Sequence, residues 1–526
     1  MLPPRPSRVS ATLTVCALAV SISGCTGTTA PVIPGDPDDD TTMVLGVPAE
    51  PDSLNPLAGY AKGGAAKIYD GLLEHDASLG VGPALAADMP KPSPDGRSWT
   101  INIREGVRFT DGTALDAGDV AATYRALLDP GYASPLRARY SMLTGAQAVD
   151  SDTVRFDLGH PYAPFPELLV LGIMPREALT TPAPVTGREP EFTPVGTGPY
   201  ELVEWRRGER MVFKANRFYF AGSPAVTSLT VEFVADEETL ARRTREGRYD
   251  GAALPPSRAA EFDNEGSFVV RTHEAADLRV VLLPQDNPVT ADPAMRLALN
   301  YAVNRDKMVA GPLAGKGTAA DTPTPPTHAE YVEPTARFPR DPARARRVLE
   351  ESGWLAGPDG TRARAGVPAR FTLRYPAGDS VSRELAESFV VDAEELGVVV
   401  TAQPADPAEV ARPGADAMLV TTGDPFDPDF SLYPLLRPDG GDRAGLSPEL
   451  DHYLDAGRTI PDPAQRAAVY RKLQRTYVDR PTMVTLVAVD HTYVLRDQWT
   501  GYQAVVDTPG QDATWGPWWN LHQWLP

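Results

Sequence analysis

The 526 residues are 42% hydrophobic and 23% charged, the balance of a soluble globular chain long enough for two or more lobes with cores of their own. A formal charge of −20 without any basic run excludes phosphate-backbone recognition, so nucleic acid is not an expected partner.

In chain order, the first element is not part of the globule. Arg5 and Arg8 precede the apolar run "VSATLTVCALAVSI", which is too short and too lightly flanked to span a membrane and reads as an export signal over residues 1–24. Ile22-Ser23-Gly24-Cys25 then resembles a bacterial lipobox, and Cys25 is expected to carry diacylglycerol after cleavage ahead of it. Of the two cysteines, Cys16 is lost with the signal, so no disulfide is expected within the processed chain. Residues 25–42 are small, acidic and Pro-containing, and read as a flexible tether.

From Met43 onward short strands and helices alternate without a repeat. "WTINIREGVRF" and "TVRFDLG" read as strands, and "DAGDVAATYRALLD" as a helix started by Asp116 and Asp119. "LTVEFVA" places Leu229, Val231 and Phe233 on one strand face. Asp341 and Pro342 open a helix that Gly353 stops, and Asp462 and Pro463 open another. Between them, "RFTLRYP", a helix over 380–396 ended by Gly397, and "VVVTAQP" form a strand, helix, strand unit that implies a parallel pair. The strand "DAMLVTT" runs into "TTGDPFDPDFSLY", which carries Asp424, Asp427 and Asp429. A polar loop beyond the carboxyl end of a strand in an α/β lobe is a candidate site.

That loop fails as a calcium loop: the acids fall at intervals of three and two, two prolines intervene, and the twelfth residue from Asp424 is Leu435 rather than Glu. Spacing leaves open a glycosidase carboxylate pair or a solvated Asp-Pro turn. "GPLAGKG" at 311–317 imitates a phosphate loop but is one residue short and lacks the following Ser or Thr. The histidines at 75, 160, 273, 328, 452, 491 and 522 put no two on one helical face, so neither a metal site nor a cofactor is expected. Four of the eight Trp, at 515, 518, 519 and 524, close the chain and read as packing against its own lobe, with a sugar platform the alternative.

Motifs spread over about residues 43–505 add a resemblance. "SLNPL", "IYDGLLEHD", "PALAADM", "REGVRFTDGTALDAGDV", "VGTGPYELVEW" and "MRLALNYAVNRDKMV" resemble the family 5 extracellular solute-binding proteins of ABC importers, which bind dipeptides, oligopeptides or nickel. The resemblance implies a two-lobed α/β fold of the type II periplasmic-binding-protein kind, a Venus flytrap with an extra inserted subdomain. It assigns 43–60, 190–280 and 485–526 to lobe I, 61–189 to the insertion and 281–484 to lobe II. It implies a lipid-anchored, monomeric binding protein outside the cytoplasmic membrane that delivers peptides to a permease and makes or breaks no bond. A nickel chelate, opine or oligosaccharide is the alternative cargo, and a surface hydrolase the alternative activity. Asp424, with Thr422 and Gly423 beside it, falls where peptide binders hold the ligand ammonium, while Asp427 and Asp429 are expected to shape the loop. Thr421 stands where an aromatic is frequent, and Leu283-Pro284 where an Asn is common. Arg374 is the nearest substitute for the Arg that grips a ligand carboxylate. Gly63 and Gly64 are expected to offer main-chain contacts, because small residues let a backbone approach.

Overall fold

The computed structural model describes residues 41–186, 193–406, 409, 416–437, 448–510 and 513–526. The proposed signal, Cys25 and the tether up to residue 40 lie outside the described residues. No described helix is long and apolar enough to cross a membrane.

The alternating apolar residues read from the sequence build one side of the main sheet. Thr42–Val47 runs parallel to Ser228–Phe233, and Leu45, Val47, Leu229 and Val231 are fully buried. Thr230 and Glu232 on the opposite face are buried as well, because Arg248 grips the Glu232 carboxylate with two hydrogen bonds of 2.6 and 3.0 Å. The predicted parallel pair also forms, Arg370–Pro376 beside Val399–Ala405, linked by a helix over Ser380–Glu394. Its Asp379 caps the Ser382 N–H, and Gly397 leaves the helix end at φ +76°. Asp341 and Asp462 cap their helices, each with Pro following, and Asp116 with Asp119 forms a reciprocal capping box. The strand predicted over "WTINIREGVRF" stops early, at Asn102; Gly106, at φ +79°, turns the chain so that Val107 and Phe109 return to the core.

Among the described residues the large sheet has eleven strands. At one end lie Val399–Ala405, Arg370–Pro376 and Ala417–Thr422; at the other lie Gly251–Leu254, Thr42–Val47 and the strands up to Tyr200–Arg206. The two longest, Phe268–Leu282 and Met483–Arg496, run antiparallel through the middle and belong to both ends. Two large hydrophobic clusters flank this crossover and define the two lobes. The first runs from Met43 to Trp524, takes in Tyr124 and Phe156, and buries Trp518 and Trp524. The second draws on Leu278 through Val489.

At the crossover the two long strands lose register between His273 and Asp277. Backbone of the C-terminal segment fills the gap: Ala276 N–H donates to Asp507 O at 2.9 Å, and Asp507 N–H donates to Glu274 O at 2.8 Å. The Asp507 carboxylate, 1% exposed, meets His273 Nδ1 at 2.9 Å, His491 Nδ1 at 3.1 Å and the Tyr493 hydroxyl. His491 Nε2 reaches Asp277 Oδ2 at 3.1 Å, so both its ring nitrogens face carboxylates. Burial opposes charge on this ring, yet Asp277 and Asp507 together push it up to about 9. Burial acts against the Asp277 carboxylate too, but Arg279 and His491 leave it below its ordinary value.

A group whose folded value lies above its unfolded one stabilises fully below the unfolded value and loses that contribution as pH rises through the folded value. The melting temperature of the wild type is therefore expected to fall between about pH 6.5 and 9, by the loss of on the order of 3 kcal/mol shared with the two carboxylates. His491→Gln should melt lower at pH 7 and show a flatter profile over that window, measured by calorimetry.

Candidate ligand-binding site

The strand Ala417–Thr422 ends against the irregular stretch of the crossover. Gly423, at φ +122°, lies so close to it that a Cβ there would sit 1.8 Å from Ala276 O, which leaves glycine as the residue that fits. The turn this permits delivers Asp424. Its Oδ1 accepts the Phe426 N–H at 3.0 Å, and its carbonyl accepts His328 Nε2 at 2.7 Å, which places the proton on that nitrogen. Its Oδ2 points across to the first lobe, where Arg139 Nη1 and Nη2 both lie 3.3 Å away. Arg139 in turn lies over the Phe430 ring, 3.7 Å from its centroid.

Beside Asp424 is a cavity of about 410 Å³, walled by Gly63 and Gly64 from the first lobe, Thr421 to Asp424 and Phe430 from the second, and Trp515 from the C-terminal segment. Phe426 joins the walls. It stacks on His75 with centroids 3.6 Å apart and meets Trp515 edge-on at 5.1 Å. A Cβ on Gly63 would come within 2.8 Å of the Phe426 ring, so the main chain of 63–64 lies flush against it. His75 is held by the Gly63 carbonyl at 3.0 Å and by Glu167 at 2.8 Å, whose carboxyl burial pushes above its ordinary value. A second cavity, about 370 Å³, borders the crossover beside Arg279, Asp379 and Glu237, and shares Pro509 with the first. There the Ser380 hydroxyl donates to Glu237 across the lobes at 2.9 Å.

Of the residues expected from sequence, Thr422, Gly423, Asp424, Gly63 and Gly64 come together at the larger cavity. Arg374 does not join them. Phe371 and Leu373 turn inward from its strand, whereas Arg374 bonds Asp416 at 2.7 Å and approaches Glu409 at 3.5 Å. Asp427 shapes the loop, accepting the Asp429 N–H at 2.8 Å and gripping Arg466 in a bidentate pair of 2.5 and 2.7 Å. Asp429, expected to shape the loop, is the first helical residue, and its carboxylate accepts the Tyr162 hydroxyl at 2.6 Å. The aromatic wall that Thr421 lacks comes from Phe426, Phe430 and Trp515. Arg139 was not signalled by the sequence, because 285 positions separate it from Asp424. Among the described residues no group of three or more His, Cys, Asp or Glu is placed to hold a metal ion.

Residues 80–443 match the model of the bacterial extracellular solute-binding proteins, family 5 Middle. The chain belongs to this family. Protein XP55 of Streptomyces lividans is 42% identical over 493 residues, 92% of this chain and 90% of that protein. The nickel-binding periplasmic protein of Escherichia coli K12 is 28% identical, over 83% of this chain and 86% of its own. Among solved structures, NikZ from Campylobacter jejuni in complex with Ni(L-His) superposes with a TM-score of 0.85 at 23% identity, covering 93% of this chain and all of that one. The oligopeptide-binding protein AppA from Bacillus subtilis, in complex with a nonapeptide, gives 0.80 at 22% identity over 92% and 98%. The fold is thus the two-lobed α/β type II architecture, and the protein is an extracytoplasmic solute-binding protein of a family that binds rather than transforms its ligands.

The two acids of the loop are expected to separate cleanly in mutants. Asp427→Asn strands Arg466, itself buried, and should lower unfolding free energy by about 3 kcal/mol in urea. Asp424→Asn, at the edge of a cavity, should cost no more than about 1 kcal/mol.

Proposed function

We propose that the protein is the lipid-anchored substrate-binding component of an ABC importer, held outside the cytoplasmic membrane through Cys25, and that it captures short peptides in the cavity around Asp424. The observation that carries this reading is the Arg139–Asp424 pair. Both terminal guanidinium nitrogens approach a single oxygen at 3.3 Å, longer than the roughly 2.7–2.9 Å of a well-formed charge-assisted bond. Such a loose pair is readily exchanged: a ligand ammonium takes Asp424, and a ligand carboxylate or carbonyl takes Arg139. Phe426, Phe430 and Trp515 supply apolar walls, and the main chain at 63–64 lines the same cavity. A cavity of about 410 Å³ sits low in the roughly 300–1,000 Å³ range of ligand sites, which favours short peptides over long ones. Bridging both lobes, such a ligand favours their closed arrangement, the state a permease reads.

The same two charges fit a second ligand class, a metal ion carried by amino acids, which presents amine and carboxylate groups together. NikZ, with Ni(L-His), is similar in fold.

Mass spectrometry of ligand released from the purified chain separates the two readings. Peptides are expected in the wild type and their loss in both Asp424→Asn and Arg139→Gln, with affinity falling about 10- to 100-fold for either. Peptide binding undiminished in both variants sinks the clamp, and a released metal chelate moves the assignment to the second class. Cys25→Ser should yield protein without lipid.

A further inference from the structure

On the rim of the cleft the lobes touch through groups that do not line either cavity. Tyr162 sits in the loop between the strand Thr153–Leu158 and the short helix Phe165–Leu168 of the first lobe, and is 3% exposed. Its hydroxyl donates to Asp429 Oδ2 at 2.6 Å. Next to it, the Ala163 N–H donates to the Arg458 carbonyl at 2.7 Å. Arg458 comes from the second lobe, places Nε 3.2 Å from Asp429 Oδ2, and lies over Tyr433 and Tyr162, 3.8 and 5.1 Å from their ring centroids. The whole constellation hangs on Asp429, which is 3% exposed and whose Oδ1 has no hydrogen-bond partner among the described residues. A carboxylate buried with one oxygen unbonded is costly while it stays charged.

We propose that Tyr162, Asp429 and Arg458 form a clasp that holds the lobes together from outside the cargo cavity, and that closing the clasp is linked to protonation of Asp429. They are positioning residues: they touch each other and set the lobe arrangement, not the cargo. When the lobes part, Tyr162 leaves and Asp429 faces water, with an ordinary carboxylate value near 4. In the closed clasp burial pushes the carboxyl up to about 6, against the pull of Arg458, with Asp427 adding a like charge and Tyr162 and Arg466 acting the other way. Tyr470, from the helix that carries Arg466, also faces this carboxylate, and Tyr433 lies beneath Arg458. His160, near Arg458, is held below its ordinary value by burial and then by that cation, so it is a second titrating neighbour.

The sign follows from linkage. The closed form binds the proton more tightly, so closure takes up a proton between about pH 4 and 6 and is favoured as pH falls. Between pH 7.5 and 5 the closed-to-open ratio should rise about tenfold. The consequence for cargo, tighter capture in an acidified surround, rests on the binding function proposed above; the clasp itself does not.

Small-angle X-ray scattering of the purified, cargo-free chain from pH 8 to 5 tests it, with no cargo to identify. The radius of gyration of the wild type is expected to shrink as pH falls. Asp429→Asn, which imitates the protonated carboxyl, should be compact at pH 8 and insensitive to pH. Tyr162→Phe, which keeps the packing and removes the bond, should be more open than wild type at pH 8 with an unchanged melting temperature. A wild-type radius that does not vary with pH overturns the proposal, as does an Asp429→Asn protein that keeps the wild-type pH dependence, the result expected if His160 were the titrating group.

Discussion

The Asp507 carboxylate is the interaction on which the rest of this molecule depends. Two long strands must pass from one lobe to the other, and three residues of one, 274–276, face a single residue of the other. Such a break leaves backbone groups without ladder partners in a buried place, where each would cost free energy comparable to a lost hydrogen bond. The backbone of Asp507 takes up Ala276 and Glu274, and its side chain draws in His273, His491 and Tyr493. Removing water from so many polar groups is costly unless all are paired, and Asp277 and Arg279 complete the pairing toward the second lobe.

The ligand loop inherits its geometry from that break. Because Ala276 O projects toward the end of the Ala417–Thr422 strand, position 423 has no space for a side chain, and a glycine there turns the chain so that Asp424 faces the cleft. His328 fixes the Asp424 carbonyl and Phe426 its first carboxylate oxygen, leaving the second for the first lobe. A side chain at 423 would act first on the crossover and only then on the ligand. Crossover and site form one unit.

How much of this the sequence shows depends on whether the determining contact is local. Caps at Asp341, Asp379 and Asp462, the stop at Gly397 and the parallel pair on either side of the Ser380–Glu394 helix are set within a few residues, and their signals are plain. Asp424 and Gly423 were legible for the same reason, as a polar turn after an apolar strand. Arg139, His75 and Trp515 were not, since each meets the ligand loop, Arg139 at Asp424 and the other two at Phe426, only through packing of distant segments, and an arginine after a short helix looks like any surface arginine. The sequence placed Arg374 two residues from a motif position; strand alternation turned it instead toward Asp416. Asp429 was read as a loop acid because nothing local announces Tyr162, 267 positions away.

These long-range pairs have a common arrangement. Between the lobes, Arg139 meets Asp424, Ser380 meets Glu237 and Tyr162 meets Asp429, three polar contacts each with a carboxylate, and the ring contacts of Phe426 with His75 and Trp515 and of Phe430 with Arg139 lie beside them at the cavity. Polar contacts between lobes can be exchanged for water when the lobes part, whereas an apolar interface of similar area would hold them shut at a cost of about 25 cal/mol per Å² exposed. Most of the buried apolar surface is kept instead within each lobe, in two separate clusters. A chain built this way has rigid halves and a weakly biased gap between them, and a ligand of ordinary affinity has enough free energy to decide on which side of that bias the molecule rests.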